Sequence, residues 1–361
     1  MSSSRIARLQ GSAVFAGNDA VDALYISNLV NVRYLCGFTG SNGALLIGRE
    51  AAWFLTDGRY RAQAPGEVTG AEIEVYTLPD QLGASLRRLG GDLAAARIGF
   101  EADHVSVTAA QRLGSYLPSA ELVPTSGLVE ELRRVKEPGE LDRIRQAAEL
   151  ADDGVAYIIE KARPGVSERE LAIDLESYMR SQGAEAVSFP SIVAAAERSA
   201  LPHAHPTGRV VESGRFLLFD LGCIFQGYCS DLTRTIVIGR ADDRHREIYD
   251  LVAAAQQAGL DALAAGRTGA EVDGAARNVI VAAGYGEEFG HSLGHGVGLD
   301  IHEAPTLRST STDVLEPGHV VTVEPGVYLP GWGGVRIEDL TVVTASGAEV
   351  LSQATKELIE I

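Results

Sequence analysis

The chain has 361 residues, 45% hydrophobic and 22% charged, with a formal net charge of −18. That composition belongs to a soluble globular protein with a substantial core, long enough for one large domain or two ordinary ones. So much negative charge repels nucleic acid and anionic membrane, and both are set aside as partners. The first ten residues contain no apolar signal core, and no apolar run approaches the ~18 residues of a membrane span. The three cysteines, Cys36, Cys223 and Cys229, have neither a disulfide framework nor zinc-type spacing, which points to a reducing cytoplasm. We read Cys223 and Cys229 as small buried hydrophobes, with a thiolate metal ligand as the less favoured alternative.

In chain order, apolar runs at Ala23–Ile26, Ala44–Ile47, Ala51–Leu55, Ile73–Leu78 and Arg97–Phe100 predict strands. Leu82–Leu89 and Val107–Tyr116 show helical spacing, the second opened by Ser106 as its N-cap. Gly37–Gly43 is turn-rich, without the Lys-Ser/Thr or helix start of a phosphate loop. Leu128–Val135 predicts a short helix, and Lys136-Glu137-Pro138-Gly139 punctuates the chain. The domains are placed at 1–130 and 131–361. A long amphipathic helix is expected over Glu140–Lys161, stopped by Pro164-Gly165, with Ser167 and Glu170 forming a capping box for the next helix. From Phe216 the pattern turns to strands, interrupted by helices over Arg244–Ala265 and Gly269–Ala283.

Five candidate metal ligands lie in this second part: Asp220, Asp231, His295, Glu324 and Glu338. Four carboxylates on apolar segments are more negative charge than a buried site holds without cations. A set rich in oxygen with one imidazole suits two hard divalent ions better than a structural zinc. Phe216–Ile238 predicts a β-hairpin turning around Phe225-Gln226. That register sets Asp220 directly opposite Asp231 on one face, with Cβ atoms about 5 Å apart, a repulsion that a shared cation would relieve. Cys223 then points to the other face. His291, His295 and His302 crowd one glycine-rich segment, although the chain has only eight histidines. One would ligate metal while the others bind substrate or stabilise an oxyanion. Glu324 and Glu338 each sit on a β-type apolar stretch, and an edge ion pair with Arg336 is the plain alternative for Glu338.

The motifs Pro202-His203-Ala204-His205-Pro206, Phe219-Asp220-Leu221-Gly222, Ser230-Asp231-Leu232-Thr233-Arg234-Thr235, Gly290–Pro305, Val323-Glu324-Pro325-Gly326-Val327-Tyr328 and Val335-Arg336-Ile337-Glu338-Asp339 occur in this order. Together they resemble the pita-bread metallopeptidases, specifically the Xaa-Pro group of aminopeptidase P and prolidase. Asn28–Gly40 and Thr56–Tyr60 resemble the creatinase-type N-terminal domain of that group. The resemblance implies an α/β protein with a creatinase-like α/β domain followed by a pita-bread catalytic domain whose curved sheet, mixed or antiparallel, is backed by helices. It implies that Asp220, Asp231, His295, Glu324 and Glu338 hold two divalent ions, manganese being expected and cobalt or zinc possible. Glu324 would also relay a proton, and His203 and His302 would steady the tetrahedral intermediate. His291 would line the proline pocket, with Arg336 and Tyr328 beside it. The implied substrates are peptides with proline in the second position, and the implied assembly is a homodimer.

Two departures bear on specificity. Ala195-Ala196-Glu197-Arg198 replaces a common Ser-Gly-x-Asn stretch. Thr306 stands where several prolidases carry an arginine for the dipeptide's free carboxylate, and Arg308 follows two residues on. A missing clamp leaves room for longer peptides, so the sequence favours an Xaa-Pro aminopeptidase, with an Xaa-Pro dipeptidase second. A catalytically dead binding module of the same fold comes last, because such proteins generally lose ligands.

Overall fold

The computed structural model describes residues 4–77, 79–89 and 96–361, the side chains of 79 and 80 excepted. The chain divides into two compact units, residues 1–133 and 134–361.

The first unit is built on a six-stranded sheet in the order Glu72–Tyr76, Ala52–Asp57, Ala44–Gly48, Ala23–Ile26, Arg97–Glu101, Glu121–Thr125. Ala44–Gly48 runs antiparallel to both neighbours and the other pairings are parallel. Leu45, Leu46 and Ile47 are all buried, as a strand covered on both faces requires. Helices Pro79–Leu89 and Val107–Tyr116 contribute Leu86 and Leu113 to the core beside the sheet. Ser106 caps the second of these helices, accepting from the Ala109 amide. Leu78, the end of one expected strand, lies outside the described residues. The sixth strand was not read from the sequence because Pro124 breaks its apolar run; it takes an edge position, where a missing N–H is tolerated.

In the second unit every strand pairing is antiparallel. Helices Pro138–Lys161 and Glu168–Ser181 pack their apolar faces (Ala147, Ala151, Ile158, Leu171, Leu175) on the sheet of strands Ile192–Ala195, Arg215–Leu221 and Leu232–Ile238. Helices Asp243–Ala262 and Gly269–Ala282 cover a five-stranded sheet that includes Gly294–Gly296, Glu303–Leu307, Val320–Val323 and Asp339–Thr344. Two helix pairs thus back two antiparallel ladders. The first helix starts at Pro138, not Glu140. Proline is preorganised for the first helical turn, and Glu137 with Glu140 closes a capping box. Ser167 with Glu170 closes the one expected from the sequence.

The Phe216–Ile238 hairpin forms in a register shifted by two. Phe225 pairs with Tyr228, so the turn is Gln226-Gly227, and Asp220 pairs with Thr233. Both turn residues have positive φ, 47° and 85°, the backbone of a two-residue turn that matches strand twist and that Gly227 accepts without strain. A slip of two keeps each side chain on its face. Asp220 and Asp231 are therefore diagonal neighbours rather than directly opposed. Gly222 separates the two halves of the hairpin's first strand, and a Cβ there would lie 2.1 Å from the Ser230 carbonyl. Cys223 turns away into the helix-backed core, its thiol near the Ala147 carbonyl.

The last residues return to this hairpin. Arg234, buried, donates to the carbonyls of Ala354, Thr355, Thr233 and Glu338 and to Asp339. Lys356 completes the same pair at Asp339 from the other side, 2.8 Å away. Asp152 caps the amides of Gln353 and Ala354, and Ile361 exchanges backbone hydrogen bonds with the Val237 strand.

Candidate active site

Strand ends and strand partners bring the five candidate ligands together within the second unit. Atoms of Asp231, His295 and Glu338 lie within 4.8 Å of one another. His295 Nε2 is 3.4 Å from Asp231 Oδ2 and 3.4 Å from Glu324 Oε1. Nδ1 of the same ring is 3.0 Å from the Gly296 carbonyl. A proton on Nδ1 therefore bonds to the backbone and leaves Nε2 bare, facing the carboxylates, as in a metal-binding histidine. Asp220 joins through Arg336, whose Nη2 donates to Oδ2 at 2.6 Å.

Each glutamate has a threonine at one oxygen. Thr233 Oγ1 donates to Glu338 Oε2 at 2.7 Å and accepts from Arg336 Nε at 3.0 Å. Thr322 Oγ1 donates to Glu324 Oε1 at 3.1 Å and accepts the His295 amide at 3.1 Å. Neither threonine was singled out in the sequence. The available signal was the period-two alternation that puts Thr233 on the face of Asp231, and Thr322 on the face of Glu324.

Negative charge crowds the site. Burial, then Asp220 and Glu324, pushes Asp231 far above the usual carboxylate range. Burial, then Asp231, does the same to Glu338, and burial also raises Glu324. Asp220 Oδ1 and Glu338 Oε1 are buried with no hydrogen-bond partner among the described residues. Buried oxygens of that kind are rare and call for a cation or a proton. The donor set, carboxylate oxygens plus one imidazole, fits hard divalent ions. The edge ion pair considered for Glu338 does not form: Arg336 takes Asp220, and Arg234 takes Asp339. The thiols are no part of the set, and burial lifts Cys223 to about 11 and Cys229 to about 12.

The remaining candidates lie around these ligands. His291 Nε2 is 2.9 Å from the Tyr328 hydroxyl, and its Nδ1 is 2.8 Å from the Ser292 carbonyl. Arg336 Nη1 donates to that hydroxyl at 2.8 Å and to the Pro202 carbonyl at 3.2 Å. Burial, then Arg336, lowers His291 to about 4, so the ring is neutral at pH 7 and Tyr328 donates to its free nitrogen. His302 is exposed, its ring 4.4 Å from that of His295. Burial of part of the ring and the nearby His295 and His203 lower it. His203 is exposed on the segment held by the Arg336–Pro202 bond. The segment that departs from Ser-Gly-x-Asn keeps a left-handed residue, Ala196 at φ 53°. Arg198 there is anchored on buried Glu168 at 2.9 Å.

This fold and this constellation have relatives. The description "Metallopeptidase family M24" matches residues 142–345, and "Creatinase/Prolidase N-terminal domain" matches residues 5–135. The chain belongs to metallopeptidase family M24, with a creatinase/prolidase-type N-terminal domain. A solved Xaa-Pro dipeptidase from Bacillus anthracis superposes with TM-score 0.94 at 44% identity, covering 99% of both chains. A solved X-Pro aminopeptidase from Thermotoga maritima gives 0.89 at 36% identity, over 94% of this chain and 98% of that one. An Xaa-Pro dipeptidase of Pyrococcus furiosus is 35% identical over 98% of this chain and 99% of its own length.

Proposed function

We propose that this protein is a metal-dependent Xaa-Pro dipeptidase, hydrolysing dipeptides whose second residue is proline. The observation that carries the metal-dependent reading is the buried carboxylate–imidazole set, with bare oxygens on Asp220 and Glu338. The choice of dipeptide reverses the preference drawn from the missing arginine at Thr306. It is supported by relatives at 44% and 35% identity that are described as Xaa-Pro dipeptidases. Thr306 has its own partner, since its amide and hydroxyl bond Asp313 Oδ2 at 2.9 and 3.3 Å. Arg308, just past the end of the strand Glu303–Leu307, is exposed and is our candidate to meet a substrate carboxylate.

In this reading Asp220, Asp231, His295, Glu324 and Glu338 hold two divalent ions. When bound, the ions supply Lewis acidity, polarising the scissile carbonyl and making water acidic enough to attack near neutral pH. Glu324 takes a proton from the attacking water and passes it to the proline nitrogen. His203 and His302 donate to the developing oxyanion. Neutral His291, oriented by Tyr328 and Arg336, walls the proline side chain. Manganese, a homodimer and a cytoplasmic site complete the reading as the resemblance and the cysteine usage imply them; metal analysis, sedimentation and fractionation test each.

The experiment is hydrolysis of an Xaa-Pro dipeptide and the matching Xaa-Pro-Yaa tripeptide by metal-stripped protein reloaded with Mn(II), Co(II) or Zn(II). Faster cleavage of the dipeptide is expected. Faster cleavage of the tripeptide restores the aminopeptidase. No cleavage of either with any ion sinks the peptidase reading and leaves the binding module.

A further inference from the structure

We infer that Thr233 and Thr322 are positioning residues that fix the carboxylates of Glu338 and Glu324 for metal; the inference rests on the metal-dependent reading above. A hydroxyl has one proton to give and two lone pairs to receive. At Thr233 one lone pair takes Arg336 Nε at 3.0 Å, and the proton goes to the carboxylate oxygen Glu338 Oε2 at 2.7 Å, which can only accept. At Thr322 the backbone amide of His295 takes one lone pair at 3.1 Å, and the proton goes to the carboxylate oxygen Glu324 Oε1 at 3.1 Å. Two threonines on different strands thus use the same device, and each ties its glutamate to a second group of the centre, Arg336 in one case and His295 in the other.

The backbone around Glu338 makes the placement specific. Its amide donates to the Thr233 carbonyl at 3.2 Å, and its own carbonyl accepts from Arg234. Thr235, next on the same face, both donates to the Arg336 carbonyl at 3.0 Å and accepts the Arg336 amide at 3.2 Å. Strand Leu232–Ile238 has its ladder with Arg215–Leu221 on one edge. The residues 336–338 are therefore joined to it through threonine hydroxyls as well as main-chain bonds. Thr233 and Thr322 are fully buried, at 0% exposure, so bulk solvent does not reach either hydroxyl. The bond to Oε2 restrains the Glu338 carboxylate and leaves Oε1, without a hydrogen-bond partner among the described residues, as the oxygen for metal.

The test compares Thr233→Val and Thr322→Val, which remove the hydroxyl at nearly constant shape, with Thr233→Ser and Thr322→Ser, which retain it. Mn(II) affinity of the metal-stripped full-length protein is read by electron paramagnetic resonance of the free ion, alongside the melting temperature without metal. Each valine variant is expected to bind Mn(II) about 10–100-fold more weakly, the usual loss when a partner behind a ligand is removed. Each serine variant is expected to stay within about threefold of wild type. A residue that only supported packing would lower the metal-free melting temperature without this loss and its rescue. Should Thr233→Val not fold, Thr322→Val makes the same comparison at Glu324. Valine variants that bind Mn(II) as tightly as wild type overturn the inference. A wild type that binds Mn(II) but cleaves no Xaa-Pro peptide overturns the proposed dipeptidase instead, since the affinity ratios do not depend on substrate.

Discussion

His319 makes the second unit sensitive to mild acid. It is 2% exposed, and its Nδ1 accepts the Glu316 amide at 3.1 Å, a bond only the unprotonated nitrogen can take. Burial first, then Arg134 and Lys136, lower its pKa from 6.5 to about 4, with Asp313 opposing them weakly. In the unfolded chain the ring protonates near 6.5, so between pH 6.5 and 4 the unfolded state binds more protons and stability falls with pH. Above 6.5 neither state is charged and the contribution is complete; below about 4 both are charged and the loss stops. Each pKa unit is worth about 1.4 kcal/mol, giving about 3 kcal/mol for the whole shift, which we reduce to about 2 because Arg134 is partly solvated and screened. His319→Asn removes the titration while keeping an acceptor for the Glu316 amide. Urea denaturation at pH 7.5 and pH 4.5 is expected to show wild type losing about 2 kcal/mol more than the variant. Equal losses refute the assignment of acid sensitivity to this ring.

Three further outcomes are expected. Glu338→Gln removes a buried charge that burial and Asp231 disfavour; the metal-free protein therefore melts no lower than wild type at pH 7, whereas Mn(II) titration shows affinity falling at least tenfold. Arg308→Ala raises KM for an Xaa-Pro dipeptide by about tenfold or more, the loss of a charge-assisted contact of roughly 1.5–3 kcal/mol, and leaves the tripeptide KM unchanged; equal effects on both would detach Arg308 from the free carboxylate. Gly222→Ala drives a Cβ to within 2.1 Å of the Ser230 carbonyl, and the backbone shift next to Asp231 should lower both melting temperature and Mn(II) affinity, by more than ~2 kcal/mol in stability.

Much of the architecture is legible in local patterns, because caps and periodicity act over a few residues. Ser106, Ser167 and Glu170 mark helix starts where the structure has them. Pro138, read as punctuation, is the first residue of its helix, since proline at a helix start and proline in a linker look alike in sequence. The hairpin shows where reading along a strand fails. Alternation gave the faces of Asp220, Asp231 and Cys223, but the register depended on whether Gln226-Gly227 or Phe225-Gln226 turned, and only the former pair has Gly where positive φ is needed. Asp220 and His295 lie within strands, and Asp231, Glu324 and Glu338 lie just beyond strand ends, on neighbouring ladders. What sequence could not display is the threonine link between residues 233 and 338 or the Arg336 hub, since these partners lie 105 and 116 residues apart in the chain.

The return of residues 353–361 to the hairpin has a consequence for biosynthesis. Arg234 is satisfied by carbonyls of Ala354 and Thr355, and the same guanidinium grips the Glu338 carbonyl. A ribosome delivers the chain from its N-terminus. The strands that carry Asp220 and Asp231 emerge more than a hundred residues before their tether, and Arg234 stays hydrated until Thr355 has cleared the exit tunnel. The first unit can thus complete its own sheet well before residues 353–361 are made, whereas the hairpin waits for partners more than a hundred residues downstream.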